Sequence, residues 1–247
     1  MNNTEIAIIG TGRFGQFWAR HLSEFCTISC YDTNQENLIK AEKYARPESL
    51  KSCLTKPYIF LTIPIHSIPG FLSENRENFV PETVIIDCAS VKTPVLKWFS
   101  EHIPEKVFFA ASHPLFGPDS AGEGLDQHLI TLIPGHIPFT RYRFLVDLFD
   151  TKLNLTVLNM TAEEHDRMMA YNLSLMHHIG RTFDQMHISR IPLMMDNMKK
   201  ISDISEVVMR DSDELFTDFY RLNPFAQAIR DEFLDSFHQV EKKLITE

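Results

Sequence analysis

Two short segments of the 247-residue sequence hold side chains that could take a proton beside a leaving hydride. One is Asp87-Cys88-Ala89-Ser90-Val91-Lys92; the other runs Ser112-His113-Pro114-Leu115-Phe116-Gly117-Pro118-Asp119-Ser120-Ala121-Gly122. Hydride removal from an alcohol carbon needs a base for the hydroxyl proton, and neutral imidazole suits that task near pH 7. His113 is the candidate base. Ser90, 23 residues earlier, could hydrogen-bond that imidazole and fix its tautomer. The plain alternative for His113 is a satisfied structural histidine. Lys92 supports this loop or a cofactor, against the alternative of a solvated lysine at a helix start.

A second constellation would hold the hydride acceptor. Gly10-Thr11-Gly12-Arg13-Phe14-Gly15 has the Gly-x-Gly-x-x-Gly spacing of a dinucleotide loop. There the first glycine permits a tight turn, the second lets backbone approach a pyrophosphate, and the third lets helix pack on strand. The helix that follows offers N–H groups and a partial positive charge to phosphate. Asp32, 20 residues past Gly12, could accept hydrogen bonds from ribose hydroxyls and would repel a 2′-phosphate. Neither Thr33 nor Asn34 supplies an arginine for that phosphate, so the pattern favours NAD and leaves NADP open. Arg13 could pair with the pyrophosphate or stand in solvent. Thr62-Ile63-Pro64, at the end of a later strand, is expected over the adenine-side ribose. A glycine turn that binds nothing is the alternative to the whole site.

These groups need a sheet that brings strand ends together. Buried-strand runs are expected at 6–9, 27–31, 58–63, 84–87, 107–110, 129–133 and 153–158, with helical patterns at 14–23 and 34–44. Unbroken apolar runs of this length suit strands covered on both faces. Their alternation with helices implies βαβ units, hence a doubly wound, Rossmann-type parallel sheet. After Asn159 the period changes. Thr161 and Glu164 have capping-box spacing, and His165, Met168, Met169, Leu173, Met176, Ile179, Phe183 and Met186 recur at helical spacing. Further helices are expected from about Leu193 to Leu222, and a last one from Pro224 to about Leu244. Phe225, Ile229, Phe233, Phe237 and Val240 form one stripe of that last helix. The expected organisation is a dinucleotide-binding domain over 1–160 and a smaller all-helical substrate and dimerisation domain over 161–247.

Composition narrows the partners. Against 24 Lys and Arg stand 33 Asp and Glu, a formal net charge of −9, so neither nucleic acid nor an anionic membrane is an expected partner. No apolar run approaches the roughly 20 residues that span a bilayer. The start, Met1-Asn2-Asn3-Thr4-Glu5, lacks the basic residues of a signal peptide. Cys26, Cys30, Cys53 and Cys88 contain no Cys-x-x-Cys pair, which points to reduced, buried thiols in a cytoplasmic protein. No Cys/His cluster has metal-ligand spacing, and no metal is expected.

With GTGRFGQF, DCASVK and HPLFGPDSAG, the chain resembles the prephenate/arogenate dehydrogenases of tyrosine biosynthesis. The likeness is good over the N-terminal domain and loose over the helical half. It implies oxidative decarboxylation of a cyclohexadienyl substrate, with His113 accepting the hydroxyl proton and Ser90 orienting His113. Aromatisation of the ring would drive loss of the ring carboxylate without a metal. The resemblance also implies substrate contacts from Asp119 and from one of His177 and His178, which as neighbours point about 100° apart on a helix. It implies a homodimer through the helical domains. The chain departs from the family near Asp211. Many prephenate-using relatives have a substrate-binding arginine four residues before that position; Val207 stands there, and the nearest arginine, Arg210, almost one turn on, is kept as a candidate substrate contact. Asp211-Ser212-Asp213-Glu214-Leu215-Phe216 instead looks like plant-type arogenate dehydrogenases, which implies that Asp211 pairs the amino group of arogenate. A solvated helix aspartate is the alternative.

Two other readings compete. One is another two-domain NAD(P)-dependent dehydrogenase, a hydroxyacid dehydrogenase or imine reductase, whose catalytic donor would be expected on the second domain. The other is a non-catalytic NAD-binding sensor, in which His113→Asn would change nothing measurable.

Overall fold

The computed structural model describes residues 4–122 and 124–245. Met1, Asn2 and Asn3, part of the N-terminal segment considered above, lie outside the described residues. Two compact units divide between Ala162 and Glu163.

The first unit is built on strands that are apolar on both faces. β1 (Glu5–Ile9), β2 (Thr27–Tyr31), β4 (Tyr58–Leu61) and β5 (Val84–Asp87) form its centre, with a two-residue β3 (Arg46–Pro47) beyond β2. All four residues of β4 and of β5 are buried, so no alternation of polar and apolar side chains appears. β6 (Phe108–Pro114), β7 (Leu129–Pro134) and β8 (Thr156–Leu158) complete an eight-stranded sheet of order β3-β2-β1-β4-β5-β6-β7-β8. Helices α1 (Arg13–Leu22), α2 (Gln35–Ala41), α3 (Leu50–Cys53), α4 (Ile68–Glu74), α5 (Thr93–His102) and α6 (Phe139–Val146) lie between the strands. On α1, Gly15, Trp18, Ala19 and Leu22 are buried at helical spacing. Trp18 meets Phe60, Phe116 and Phe149 with ring centroids 6.0, 6.4 and 5.9 Å away. This aromatic cluster fastens α1 both to the sheet and to the segment after His113.

The sheet departs from the all-parallel expectation at one pair. β7 runs antiparallel to β6, with His113 directly opposite Thr131. The connection from β6 to β7 has no helix among its described residues, and a parallel return would need a helical crossover, whereas an antiparallel return does not. The last strand is also shorter than the expected 153–158, because Leu153 caps a π-helical turn over 147–152 and Asn154 adopts φ +52, so extended backbone begins only at Thr156.

The second unit is helical throughout its described residues. α7 (Ala162–Met169) passes through a π-helical turn, Ala170–Leu175, into α8 (Met176–Gln185). α9 (Asp196–Val208), α10 (Asp213–Leu222) and α11 (Ala226–Ile245) follow. At Gly180, α8 and α9 come so close that a Cβ would lie 2.5 Å from Val208 Cγ2. Ser205 Oγ donates to Gly180 O at 2.9 Å across that crossing. Buried at the start of the unit are His165 and Asp166, with Nδ1 and Oδ1 2.9 Å apart. Asn223 ties Asp166 O to the turn before α11 at 2.7 Å. Among the described residues no helix is long and apolar enough to cross a membrane.

The four cysteines are free thiols. Burial pushes Cys26 and Cys30 up to about 11 and Cys53 up to about 12, and it raises Cys88 as well. The thiolate is the nucleophile, so at pH 8 about one thiol in a thousand or fewer is reactive. Ellman's reagent at pH 8 is therefore expected to leave the native protein almost untouched and to count four thiols in denaturant. A rapid native reaction at any cysteine would contradict this packing.

Candidate active site

The candidate groups of the first unit lie along one edge of its sheet. Asp32 follows β2, Gly10 follows β1, Thr62 follows β4, Ser90 follows β5, and His113 lies near the end of β6. Adjacent strands are spaced by about 4.8 Å, so Asp32 and His113 stand four spacings, about 19 Å, apart along this edge.

The glycine loop has little freedom to change. Gly10 adopts φ +97, and a Cβ there would lie 2.7 Å from Thr62 O. At Gly15 a Cβ would fall 2.0 Å from Gly10 O, so only hydrogen lets α1 approach the turn this closely. Gly12 faces open space. Thr62 Oγ1 donates to Gly10 O at 2.5 Å, which ties the loop to β4. Asp32 ties it to β2: Oδ2 accepts from Thr11 N at 2.6 Å, and Oδ1 from Asn34 N at 2.7 Å. α1 starts at Gly12 without a side-chain cap and without an acidic residue in its first turn. Its first N–H groups and dipole therefore meet the requirements of an anion such as pyrophosphate. That donor set, the open face at Gly12 and the carboxylate at the β2 end fit a dinucleotide.

Three residues assigned to this loop have other occupations here. Thr11 is fully buried, its amide and hydroxyl both directed at Asp32. Phe14 packs on Trp18 at 5.8 Å, as a core side chain. Arg13, expected at a pyrophosphate or in solvent, bonds Asp119 in the segment after His113, with Nη2 2.8 and 2.6 Å from the two carboxylate oxygens. Asp119, expected at the substrate, is thereby tied to the glycine loop. Pro64 is exposed at the start of a short 3₁₀ turn.

At the β5–β6 end lies a buried ionic network. Lys92, expected at a cofactor, on its loop or in solvent, has no exposed surface; its ammonium pairs with the equally buried Asp87 carboxylate. The same ammonium donates to Ser112 O at 2.5 Å, while Ser112 N donates to Asp87 Oδ1 at 3.2 Å. Ala89 N adds a bond to Asp87 Oδ2 at 2.8 Å. Burial raises the Asp87 carboxyl above its ordinary value against the opposing pull of Lys92. His113, next in the chain, is 8% exposed. The expected bond between Ser90 and His113 is not formed. Ser90 Oγ is buried and has no hydrogen-bond partner. Sequence reasoning missed Asp87 and Ser112 as members of this site. Their signal was a carboxylate ending one strand and a hydroxyl immediately before the histidine of the next.

In the helical unit, His177 rather than His178 turns inward. His177 is buried against Phe219, centroids 4.7 Å apart, and its Nε2 lies 3.3 Å from Asp211 Oδ2. Its Nδ1 is buried without a partner. His178 is half-buried, and burial followed by the nearby Arg230 charge lowers its pKa. Asp211 thus lies beside an imidazole while its side chain stays 39% exposed. Arg210 is exposed. The arginine that meets this turn is Arg181, four residues after His177 on α8. It donates to Asp211 O at 3.0 Å, pairs with Asp213, and stacks its guanidinium 4.6 Å from the Phe216 ring.

Comparison with known proteins finds the same architecture. The family model described as prephenate dehydrogenase, nucleotide-binding domain, matches residues 18–136, and the one described as TYRAAT1-like, C-terminal domain, matches residues 182–247. Arogenate dehydrogenase 2, chloroplastic, of Arabidopsis thaliana is 25% identical over 252 residues, covering 97% of this chain and 70% of its own length. The chain spans 41% and 57% of the length of two further curated relatives. The solved structure of a prephenate dehydrogenase from A. aeolicus, in complex with hydroxyphenyl propionate and NAD+, superposes with a TM-score of 0.79 at 17% identity. That match covers 99% of this chain and 92% of the other. Synechocystis arogenate dehydrogenase does so with a TM-score of 0.72 at 21% identity, covering 98% and 91%.

Proposed function

We propose that the chain is a member of the prephenate/arogenate dehydrogenase family and catalyses the oxidative decarboxylation of arogenate or prephenate in tyrosine biosynthesis. The observation that carries this reading is the order of groups on the sheet edge. A dinucleotide-type loop and Asp32 occupy one end, and His113 stands at the other. Bound NAD supplies the hydride acceptor. Asp32 serves its ribose and disfavours a 2′-phosphate, while the uncapped start of α1 serves its pyrophosphate. The His113 imidazole takes the proton of the ring hydroxyl as the hydride leaves that carbon. The electrons of the bond to the ring carboxylate then complete the aromatic ring, and carbon dioxide departs. Ser90, with its unpaired buried hydroxyl, is placed in the sequence to hydrogen-bond the substrate hydroxyl or His113.

In the helical unit, Asp211 accepts the ammonium of arogenate, and His177 holds that carboxylate in position. A charge-assisted bond of this kind contributes about 1.5–3 kcal/mol. The same unit carries Phe237, Val240, Leu244 and Ile245 on the outer half of α11, all more than half exposed. Their spacing makes an apolar face suited to a second copy of the chain. The four free thiols suit the reducing cytoplasm.

Following reduced nicotinamide with prephenate or arogenate, each with NAD or NADP, tests the reading. Turnover is expected with NAD and at least one of the two acids, and His113→Gln is expected to lower kcat by about 10²–10⁴-fold. Absence of turnover with every pair would remove the reading, leaving a dehydrogenase of another substrate or an NAD-binding sensor. Asp211→Asn is expected to move the ratio of catalytic efficiencies towards prephenate by about tenfold or more; an unchanged ratio would refute that contact. Light scattering at micromolar concentration is expected to report twice the 28.6 kDa chain mass, and a monomer would refute the dimer.

A further inference from the structure

Ser112 is held by Asp87 and Lys92 at all three of its polar groups. Its N–H donates to Asp87 Oδ1, its carbonyl accepts from Lys92 Nζ, and its hydroxyl donates to Asp87 O. Asp87 and Lys92 are both completely buried. A lysine at the start of a helix ordinarily extends into water, because an isolated buried ammonium costs several kcal/mol. Here it turns inward under the residue that precedes His113. Breaking either half of a buried pair leaves the other charge uncompensated in a medium of low dielectric.

We propose that Lys92 is a positioning residue for His113: it fixes the Ser112–His113 peptide and cancels the Asp87 charge, so that the imidazole stays neutral and aimed at the substrate hydroxyl. Neither role requires contact with substrate or cofactor. The titratable groups on the described elements of this unit packed beside His113 include Asp87, Cys88 and Lys92 of β5 and its turn, Asp119, paired with Arg13, in the segment that follows, and His128 before β7, whose ring packs 5.1 Å from that of Phe116. β7 brings Thr131 and aliphatic side chains. Cys88 is kept neutral by burial, and Asp119 has its own counter-ion. The charge balance felt by His113 within this unit therefore turns on Asp87 and Lys92. The inference rests on the dehydrogenase reading for the task of His113, and turnover by the unaltered protein separates failure of that reading from failure of this one.

The test titrates the His113 ring by NMR, its signal assigned by loss in His113→Gln, and measures kcat in parallel. In Lys92→Met the Asp87 carboxylate loses its counter-ion but keeps its bonds from Ala89 N and Ser112 N, which favour the ionised form, and its charge then favours the imidazolium. The His113 midpoint is expected to rise by about one pH unit, and the acidic limb of the kcat profile with it. In Asp87→Asn/Lys92→Met both charges are gone, so the midpoint is expected to return to that of the unaltered protein. Its kcat should stay about tenfold or more below normal, because nothing holds the Ser112 carbonyl. An unmoved midpoint in a folded Lys92→Met, or normal kcat in the double variant, overturns the proposal. Failure of both variants to fold also overturns it, since the pair would then be a stability element.

Discussion

Parallel strands deliver their C-termini to the same edge of a sheet, and the chemistry of this unit depends on that constraint. Between β1 and β4 the strand order reverses: the chain leaves β1 towards β2 on one side, and β4 lies on the other. Ligands of open α/β sheets bind at such a reversal, where the connections diverge to opposite faces. The close approach of Gly15 to Gly10 O presses α1, with its uncapped N-terminus, against the turn at this point. From that fixed point each further strand end sits one hydrogen-bonding spacing away. The separation between Asp32 and His113 is thus a property of the sheet rather than of any loop.

Loops along this edge are restrained by charge in two different ways. The Arg13–Asp119 pair is exposed, with side chains 60% and 40% accessible; such pairs contribute about 0–1 kcal/mol and are weakened by salt. It can open at little cost. The Asp87–Lys92 pair is dry, and breaking it by removing one partner costs about 3–5 kcal/mol. Two ion pairs of the same formal kind therefore mark a yielding contact and a rigid one, and burial alone separates them.

What could be read from residues alone follows the same division between local and non-local causes. The Gly-x-Gly-x-x-Gly loop, the buried strands and the amphipathic α1 are properties of short windows, and the structure contains them within a few residues. The direction of β7 was not legible, because it depends on the absence of a helix between two apolar runs rather than on either run. The fate of Lys92 was not legible either: its window reads as an ordinary helix start, and only the meeting of β5 and β6 supplies Asp87 and Ser112. For Asp211 the nearby sequence shows an acidic stretch, whereas its imidazole neighbour comes from a helix over 30 residues earlier. Side chains whose state is set by a partner on another element escape a reading of spacing.

The helical unit shows how far an amphipathic stripe can mislead when taken as a measure of burial. Phe225, just before α11, and Ile229 and Phe233 on it are partly covered, but Phe237 and Val240 on the same stripe are exposed. The periodicity is continuous while the cover is not, because a unit of this size has too little interior to bury a 20-residue helix along its whole length. The apolar residues beyond Phe233 have no part in that unit's own core. Water contact along this face is unfavourable in proportion to its area.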